Sequence, residues 1–190
     1  MNLALYCAAY LFGSIPTGVL VGRLRGVDVR RQGSGNIGAT NVARVVGRLP
    51  GLLVLIVDVA KGWIPVAVLG SWVPVSKILL GMAAVTGHVW NPFLQFQGGK
   101  GVATALGVLL GLDLRVALGT LGVWIAVAAV TRYVSVASVS AALAAPFLML
   151  FFGLPTSWIL GAIGVGLAIM ARHRPNFLRL IHGEENRIGR

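Results

Sequence analysis

Six long apolar runs, separated by short polar stretches, organise this chain: Leu3–Gly22, Leu49–Gly70, Val73–Trp90, Leu114–Thr131, Val134–Phe152 and Pro155–Ala171. Runs of this length predict helices that cross a bilayer, whose hydrocarbon core takes about 20 apolar residues. A seventh piece, Val102–Leu112, is short. Counted from Lys100 it makes a helix of about 13 residues, roughly 20 Å at 1.5 Å per residue. It reaches across only if local structure lets it start inside a protein-lined cavity. Small residues recur in the runs, as at Gly161, Ala162, Gly164, Gly166 and Ala168. They read as close helix packing of the small-xxx-small kind.

Composition supports the bilayer. Of the 190 residues 57% are hydrophobic and only 11% charged, with a mean hydropathy of +0.87. That leaves too few polar side chains to cover a water-facing surface. The net charge is +11, yet the cations do not stripe a soluble fold as a nucleic-acid surface would. Positive-inside bias and anionic headgroups account for them. If the short piece crosses, all of the 16 Lys and Arg except Lys61, Lys77 and Arg115 share one face. If it does not, the asymmetry largely disappears. The expectation is therefore an all-α polytopic membrane protein of seven transmembrane helices, the fourth short, with the N-terminus outside and the C-terminus cytoplasmic. Cys7 stands alone in an apolar helix and forms no internal disulfide. Met1 to Tyr10 lacks the charged n-region of a cleavable signal. Without internal repeats or linkers, residues 1–190 read as one membrane domain.

Three polar islands fall on the cationic face, rich in glycine, hydroxyls, amides and cations and poor in acids. In the first, residues 30–44, Gly33, Gly35 and Gly38 spell the dinucleotide fingerprint G-x-G-x-x-G. That motif needs a buried strand before it and an acid ending a second strand. Here "VDVRR" precedes it and Asp58 lies in an apolar span, so the match is coincidental. What remains is a Gly-Ser-Gly-Asn turn leading into a short helix, an arrangement whose N–H groups suit an anion. Ser34 or Asn36 capping that helix is the plainer alternative. Thr40, Asn41 and Arg44 add donors. The second island, residues 87–104, is not a P-loop, because Leu94 and Gly101 stand where a glycine and a hydroxyl residue are required. Gly98-Gly99-Lys100-Gly101 still offers bare N–H groups and a cation at a helix start, suited to phosphate. A simple turn is the alternative. His88 is as readily an interface residue as a ligand. The third, residues 171–189, crowds Arg172, His173, Arg174, Asn176 and Arg179 at the end of the last run. Anchoring at anionic lipid explains the arginines but not Asn176. His173 is the best general-base candidate by residue type. Asp58 and Lys61, three apart in one span, are expected to pair, as a structural device or as the wall of a site. Three dispersed histidines, one cysteine and five acids show no metal-ligand spacing, and no Ser-His-Asp arrangement or His-x4-Asp motif is present.

Taken together, "SGNIGATNVAR", "GHVWNPFLQFQGGKGVAT" and "RHRPNFLRLIHGEE" resemble the three signature motifs of bacterial acyl-phosphate:glycerol-3-phosphate acyltransferases. The likeness covers most of the chain in order and spacing, "DVAKG" included. It implies transfer of an acyl group from acyl-phosphate to the 1-hydroxyl of sn-glycerol 3-phosphate, giving lysophosphatidic acid and phosphate in phospholipid synthesis. It also implies a multi-pass protein of the bacterial inner membrane whose site faces the cytoplasm. By this resemblance Ser34, Arg44, His173 and Asn176 are catalytic. The substrate-binding set is Gly35, Asn36, Gly38, Thr40, Asn41, Lys61, His88, Gly98, Gly99, Lys100, Gly101, Thr104, Arg179, Gly183 and Glu185. Pro175 stands where a polar residue is commoner. The implied partners are acyl-phosphate, glycerol 3-phosphate and the bilayer, with no cofactor, metal, nucleic acid or obligate protein partner. Two phosphate-bearing substrates call for two anion sites and few acids, which is the pattern of the islands. A phosphate-ester transporter is the competing class, but transporters carry internal repeats and matched broken helices. A structural membrane partner leaves the donor-rich islands unexplained.

Overall fold

The computed structural model describes residues 2–73 and 76–189, and every regular element among them is helical. The chain forms two compact units, Met1–Leu112 and Asp113–Arg190. The first contains α1 (Asn2–Gly13), α2 (Thr17–Leu24), α3 (Ala39–Val45) and α4 (Arg48–Ile64). Helix α4 runs on through a π-helical turn, Pro65–Leu69, into the single turn α5 (Gly70–Trp72). Then come α6 (Lys77–Val89), a 3-10 turn at Pro92–Leu94 and α7 (Val102–Leu112). The second unit holds α8 (Leu114–Thr131), α9 (Val134–Phe151), α10 (Thr156–Arg172) and α11 (Arg174–Ile181).

Among the described residues four segments are long and apolar enough to cross a membrane: Leu3–Leu24, Arg48–Trp72, Leu114–Thr131 and Val134–Phe151. Three other expected spans are shorter helices. Helix α6 has 13 residues and starts only at Lys77, inside the run expected from Val73; positions 74 and 75 lie outside the described residues. Helix α7 has 11 residues and α10 has 17.

The first apolar run departs most from expectation, because it is not one helix. The chain leaves helical geometry over residues 14–16 between α1 and α2. Pro16 cannot donate an N–H and disfavours helical geometry at the residue before it. The π turn at Pro65 is the same effect in milder form.

Helices surrounded by lipid gain little from hydrophobic attraction, so close backbone approach at small residues holds them together. A Cβ on Gly13 of α1 would lie 2.1 Å from the Ala84 carbonyl oxygen of α6, and one on Gly87 of α6 would lie 2.0 Å from that of Tyr10. Helices α4 and α7 dovetail likewise: a Cβ on Gly62 would meet the Thr104 carbonyl at 2.0 Å, and one on Gly107 that of Val59 at 1.9 Å. The start of α7 is thereby seated on α4. Beneath the stretch linking α2 to α3, Val19, Val21, Val29, Ile37, Val42 and Val54 form a buried cluster.

In the second unit α8 and α9 form a hairpin that turns at Arg132, a left-handed residue with φ of 62°. Asp113 caps α8, accepting the N–H groups of Arg115 at 2.9 Å and Val116 at 3.3 Å. Helix α9 also packs on α10, and α10 leads into α11. The C-terminal tail returns to the hairpin turn, where the Ile188 N–H donates to the Arg132 carbonyl at 2.8 Å and the Arg132 guanidinium donates back to the Ile188 carbonyl.

Candidate active site

The first glycine stretch is built around one amide. Asn41, 1% exposed, accepts the Ser34 N–H at 2.8 Å on Oδ1. Its Nδ2 donates to the carbonyls of Val29 and Gln32 at 2.9 and 3.1 Å. Gly33, at φ of 60°, must be glycine, since a Cβ there would lie 2.3 Å from Asn41 Oδ1. Gly35 turns the chain at φ of 71° and donates to the Gln32 carbonyl. The expected donor triad therefore splits. Successive helical residues lie about 100° apart, so Thr40 and Arg44 share the exposed face of α3 while Asn41 points inward. Helix α3 begins after Gly38 without a side-chain cap, so neither Ser34 nor Asn36 caps it. Both are half-buried on the loop.

The second stretch is a tightly bonded loop. Asn91, 1% exposed, accepts the Phe93 N–H at 3.0 Å, and its carbonyl accepts the N–H groups of Leu94 and Phe96. Gln95 and Phe96 are both left-handed, at φ of 52° and 61°, a conformation that costs non-glycine residues of order 1–3 kcal/mol. Strain of this kind persists where the surroundings over-determine the chain. Directly after it, the Gly98 and Gly99 N–H groups donate to the Val89 and His88 carbonyls at 3.1 and 3.0 Å, so these two are not the bare N–H groups expected for an anion. A Cβ on Gly99 would lie 2.2 Å from His88 Nε2, so His88 is packed against the loop. Lys100 is half-buried, and Gly101, at φ of 82°, leads into α7. Thr104 on its first turn is fully buried, and its hydroxyl has no hydrogen-bond partner among the described residues.

Behind the loop lies a buried polar cluster. Lys61 Nζ donates to Asp58 Oδ1 at 2.5 Å and to the Ile15 carbonyl at 2.6 Å. The two side chains are 1% and 4% exposed. Asp58 Oδ1 faces His88 Nδ1 at 3.9 Å, beyond hydrogen-bond length. Lys61, expected among the substrate-binding residues, is enclosed in the wall, with its ammonium engaged by protein. The break after α1 was not foreseen as part of this region, although "GSIPTG" carries the helix-breaking signal. Asn91 also donates to the Ser14 carbonyl, at 2.5 Å, and Tyr10 to the Trp90 carbonyl, at 2.7 Å.

In the second unit the third stretch converges on Glu185. Its Oε1 accepts from Asn176 Nδ2 at 2.6 Å and from Ser135 Oγ at 2.8 Å, while Oε2 accepts from Arg179 Nε at 2.8 Å. Burial pushes the Glu185 carboxyl up, but the hydrogen bonds from Asn176, Ser135 and Arg179 and the Arg179 charge outweigh it, so the group sits below its ordinary value. Gly183, at φ of 73°, reverses the chain after α11 so that Glu185 folds back onto it. Ser135 gave no sequence signal, because its partner is 50 residues away. His173 and Asn176 are buried, at 2% and 5% exposure. His173 Nδ1 lies 2.8 Å from the Ile169 carbonyl. A carbonyl can only accept, so Nδ1 carries the proton and Nε2 is the lone-pair nitrogen of the neutral ring. Asn176 turns its amide nitrogen to Glu185. Among the described residues no group of three His, Cys, Asp or Glu is placed to hold a metal.

Known proteins resemble this chain over nearly all of its length. The sequence profile of the glycerol-3-phosphate acyltransferases matches residues 3–183. A glycerol-3-phosphate acyltransferase of Synechococcus sp. (strain JA-3-3Ab) is 51% identical, over 95% of this chain and 90% of its own. That of Prochlorococcus marinus (strain MIT 9312) is 42% identical, over 99% and 98%. The crystal structure of PlsY (YgiH), an integral membrane glycerol 3-phosphate acyltransferase, in its glycerol 3-phosphate form superposes with a TM-score of 0.94. It is 43% identical, over 99% of this chain and 96% of that one. Its lysophosphatidic acid form gives a TM-score of 0.91 at 42% identity. By sequence and by fold, this chain belongs to the membrane-integral glycerol-3-phosphate acyltransferase family.

Proposed function

We propose that the chain takes its acyl group from acyl-phosphate and delivers it to the 1-hydroxyl of sn-glycerol 3-phosphate, releasing lysophosphatidic acid and phosphate. That it acylates glycerol 3-phosphate follows from the family; the donor and the division of labour among residues are our reading. The observation that carries it is the strained loop ending in Gly98-Gly99-Lys100-Gly101 at the start of α7, a cationic, glycine-lined place for a phosphate. Related PlsY structures are of glycerol 3-phosphate and lysophosphatidic acid forms, which supports both ends of the reaction.

In this reading Lys100, Arg44 and Ser34 hold phosphate oxygens, and Gly98, Gly99 and Gly101 let the chain close tightly beside them. Gly35, Asn36, Gly38 and Thr40 shape the first loop, Asn41 fastens it, and His88 and Thr104 shape the second. The substrate hydroxyl oxygen attacks the acyl carbonyl, its proton passes to His173 Nε2 or to a phosphate oxygen, and the bond from carbonyl carbon to phosphate oxygen breaks. Phosphate is already a good leaving group, so proximity and charge stabilisation supply most of the catalysis. Asn176 contacts the substrate, while Glu185, Arg179 and Gly183 hold Asn176 in place.

We also propose that residues 1–190 work as one acyltransferase domain in the bacterial inner membrane. It crosses seven times, with α6, α7 and α10 as the short crossings, the N-terminus outside, and the C-terminus and the site cytoplasmic. Charge asymmetry supports that orientation, and a C-terminal fluorescent-protein fusion tests it, since fluorescence requires the cytoplasmic side. The activity is tested with purified protein, acyl-phosphate and glycerol 3-phosphate. Phosphate release that depends on both substrates is expected; release without glycerol 3-phosphate, or none at all, refutes the assignment.

A further inference from the structure

The buried ion pair in α4 touches both glycine loops through short chains of contacts. Lys61 grips the Ile15 carbonyl, in the break between α1 and α2. Three residues on, a Cβ on Gly18 would lie 1.8 Å from the Ile37 carbonyl, so the start of α2 is pressed against the first loop. On the other side, Asp58 faces His88 Nδ1, and the far nitrogen of that ring abuts Gly99. The neighbouring carbonyl of the break, Ser14, accepts from Asn91, which folds the second loop. Both carbonyls at the break, Ser14 and Ile15, thus accept donors from other elements of the site, the Ile15 carbonyl alongside the Thr17 N–H at 2.9 Å.

We propose that Asp58 and Lys61 form a positioning unit that sets the two glycine loops relative to each other, rather than a pair of substrate ligands. This rests on the reading that the loops hold phosphate. Lys61 fixes where α2 begins, hence the seat of the Ile37 turn. Asp58 fixes the His88 ring, hence the seat of Gly98 and Gly99. A lysine with both contacts at 2.5–2.6 Å and 1% exposure is a fastening, not a hand held out to ligand.

The test is a double-mutant cycle of Asp58→Asn and Lys61→Met, read as kcat and as KM for glycerol 3-phosphate. Amide exchange over residues 33–38 and 97–101 of the unliganded protein is measured alongside. Lys61→Met alone strands a buried carboxylate and releases the break. It is expected to raise KM at least tenfold and to speed exchange in both loops. In the Asp58→Asn background no carboxylate is stranded, so Lys61→Met should raise KM by a smaller factor, from release of the Ile15 carbonyl alone. An equal factor in both backgrounds, or a raised KM with wild-type exchange, makes Lys61 a direct phosphate ligand and overturns the proposal. Should Lys61→Met fail to fold, Asp58→Asn, which keeps the shape and an acceptor, decides alone: faster exchange at Gly98 and Gly99 supports the unit and unchanged exchange refutes it. Wild-type phosphate release from acyl-phosphate is measured first. Its absence defeats the functional reading, whereas the exchange result bears on the positioning unit by itself.

Discussion

Replacing Asn41 by Asp exchanges one atom and should nonetheless dismantle the first glycine loop. The variant keeps Oδ1, which accepts the Ser34 N–H at 2.8 Å. It puts an oxygen where Nδ2 now donates to the Val29 and Gln32 carbonyls at 2.9 and 3.1 Å. The buried Val29 carbonyl loses its donor, at about 1–3 kcal/mol, the Gln32 carbonyl keeps only the Gly35 N–H, and a carboxylate faces both at 1% exposure. A loss of roughly 3–5 kcal/mol is expected, since a buried carboxylate is left facing carbonyl oxygens with no cation to pair it. The loop amides should lose exchange protection, and kcat/KM for glycerol 3-phosphate should fall by at least a hundredfold, because Ser34 hangs from this amide. Asn41→Ala removes all three bonds without adding a charge and should fall between wild type and Asn41→Asp. The assays are phosphate release, thermal unfolding in detergent and amide exchange. An Asn41→Asp enzyme within twofold of wild type in kcat/KM, with unchanged exchange at Ser34, would refute the claim that this side chain organises the loop.

Four further outcomes are expected. Gly99→Ala should lower activity more than tenfold, because the added methyl meets the buried His88 ring at 2.2 Å; full activity would show that the ring gives way. Lys100→Ala should raise KM for glycerol 3-phosphate, and an unchanged KM removes its phosphate role. His173→Ala should cut kcat by about 100-fold or more if Nε2 is the base; a fall of only two- or threefold assigns the proton to a substrate phosphate. Glu185 has a pH signature. Its folded value lies below the ordinary 4.5, so its stabilisation is fully present above that value and is lost as pH falls through the lower, folded one. Acid unfolding followed by amide exchange at Asn176 should therefore steepen below pH 4.5 in wild type and flatten in Glu185→Gln; parallel curves would contradict it.

Several parts of this protein were determined by its sequence alone. Runs such as Leu114–Thr131 and Val102–Leu112 are helices with the expected bounds, because apolar length and flanking Gly, Asp or Arg act locally. The three islands and their family were legible because short glycine, amide and cation strings need particular local chemistry. Tertiary structure decided which side chains in those strings are fasteners. Thr40, Asn41 and Arg44 look equivalent as letters, but the turn of α3 sends Asn41 inward to carbonyls up to 12 residues away and leaves the other two exposed. Ser135 is an ordinary helix serine until a glycine reversal brings Glu185 to it from 50 residues on. Pro16 announces a break, but not that Lys61, 46 positions beyond Ile15, reaches its carbonyl. A polar group buried in an apolar setting must find a partner; local chemistry states the need, and only the packing of distant helices determines what meets it.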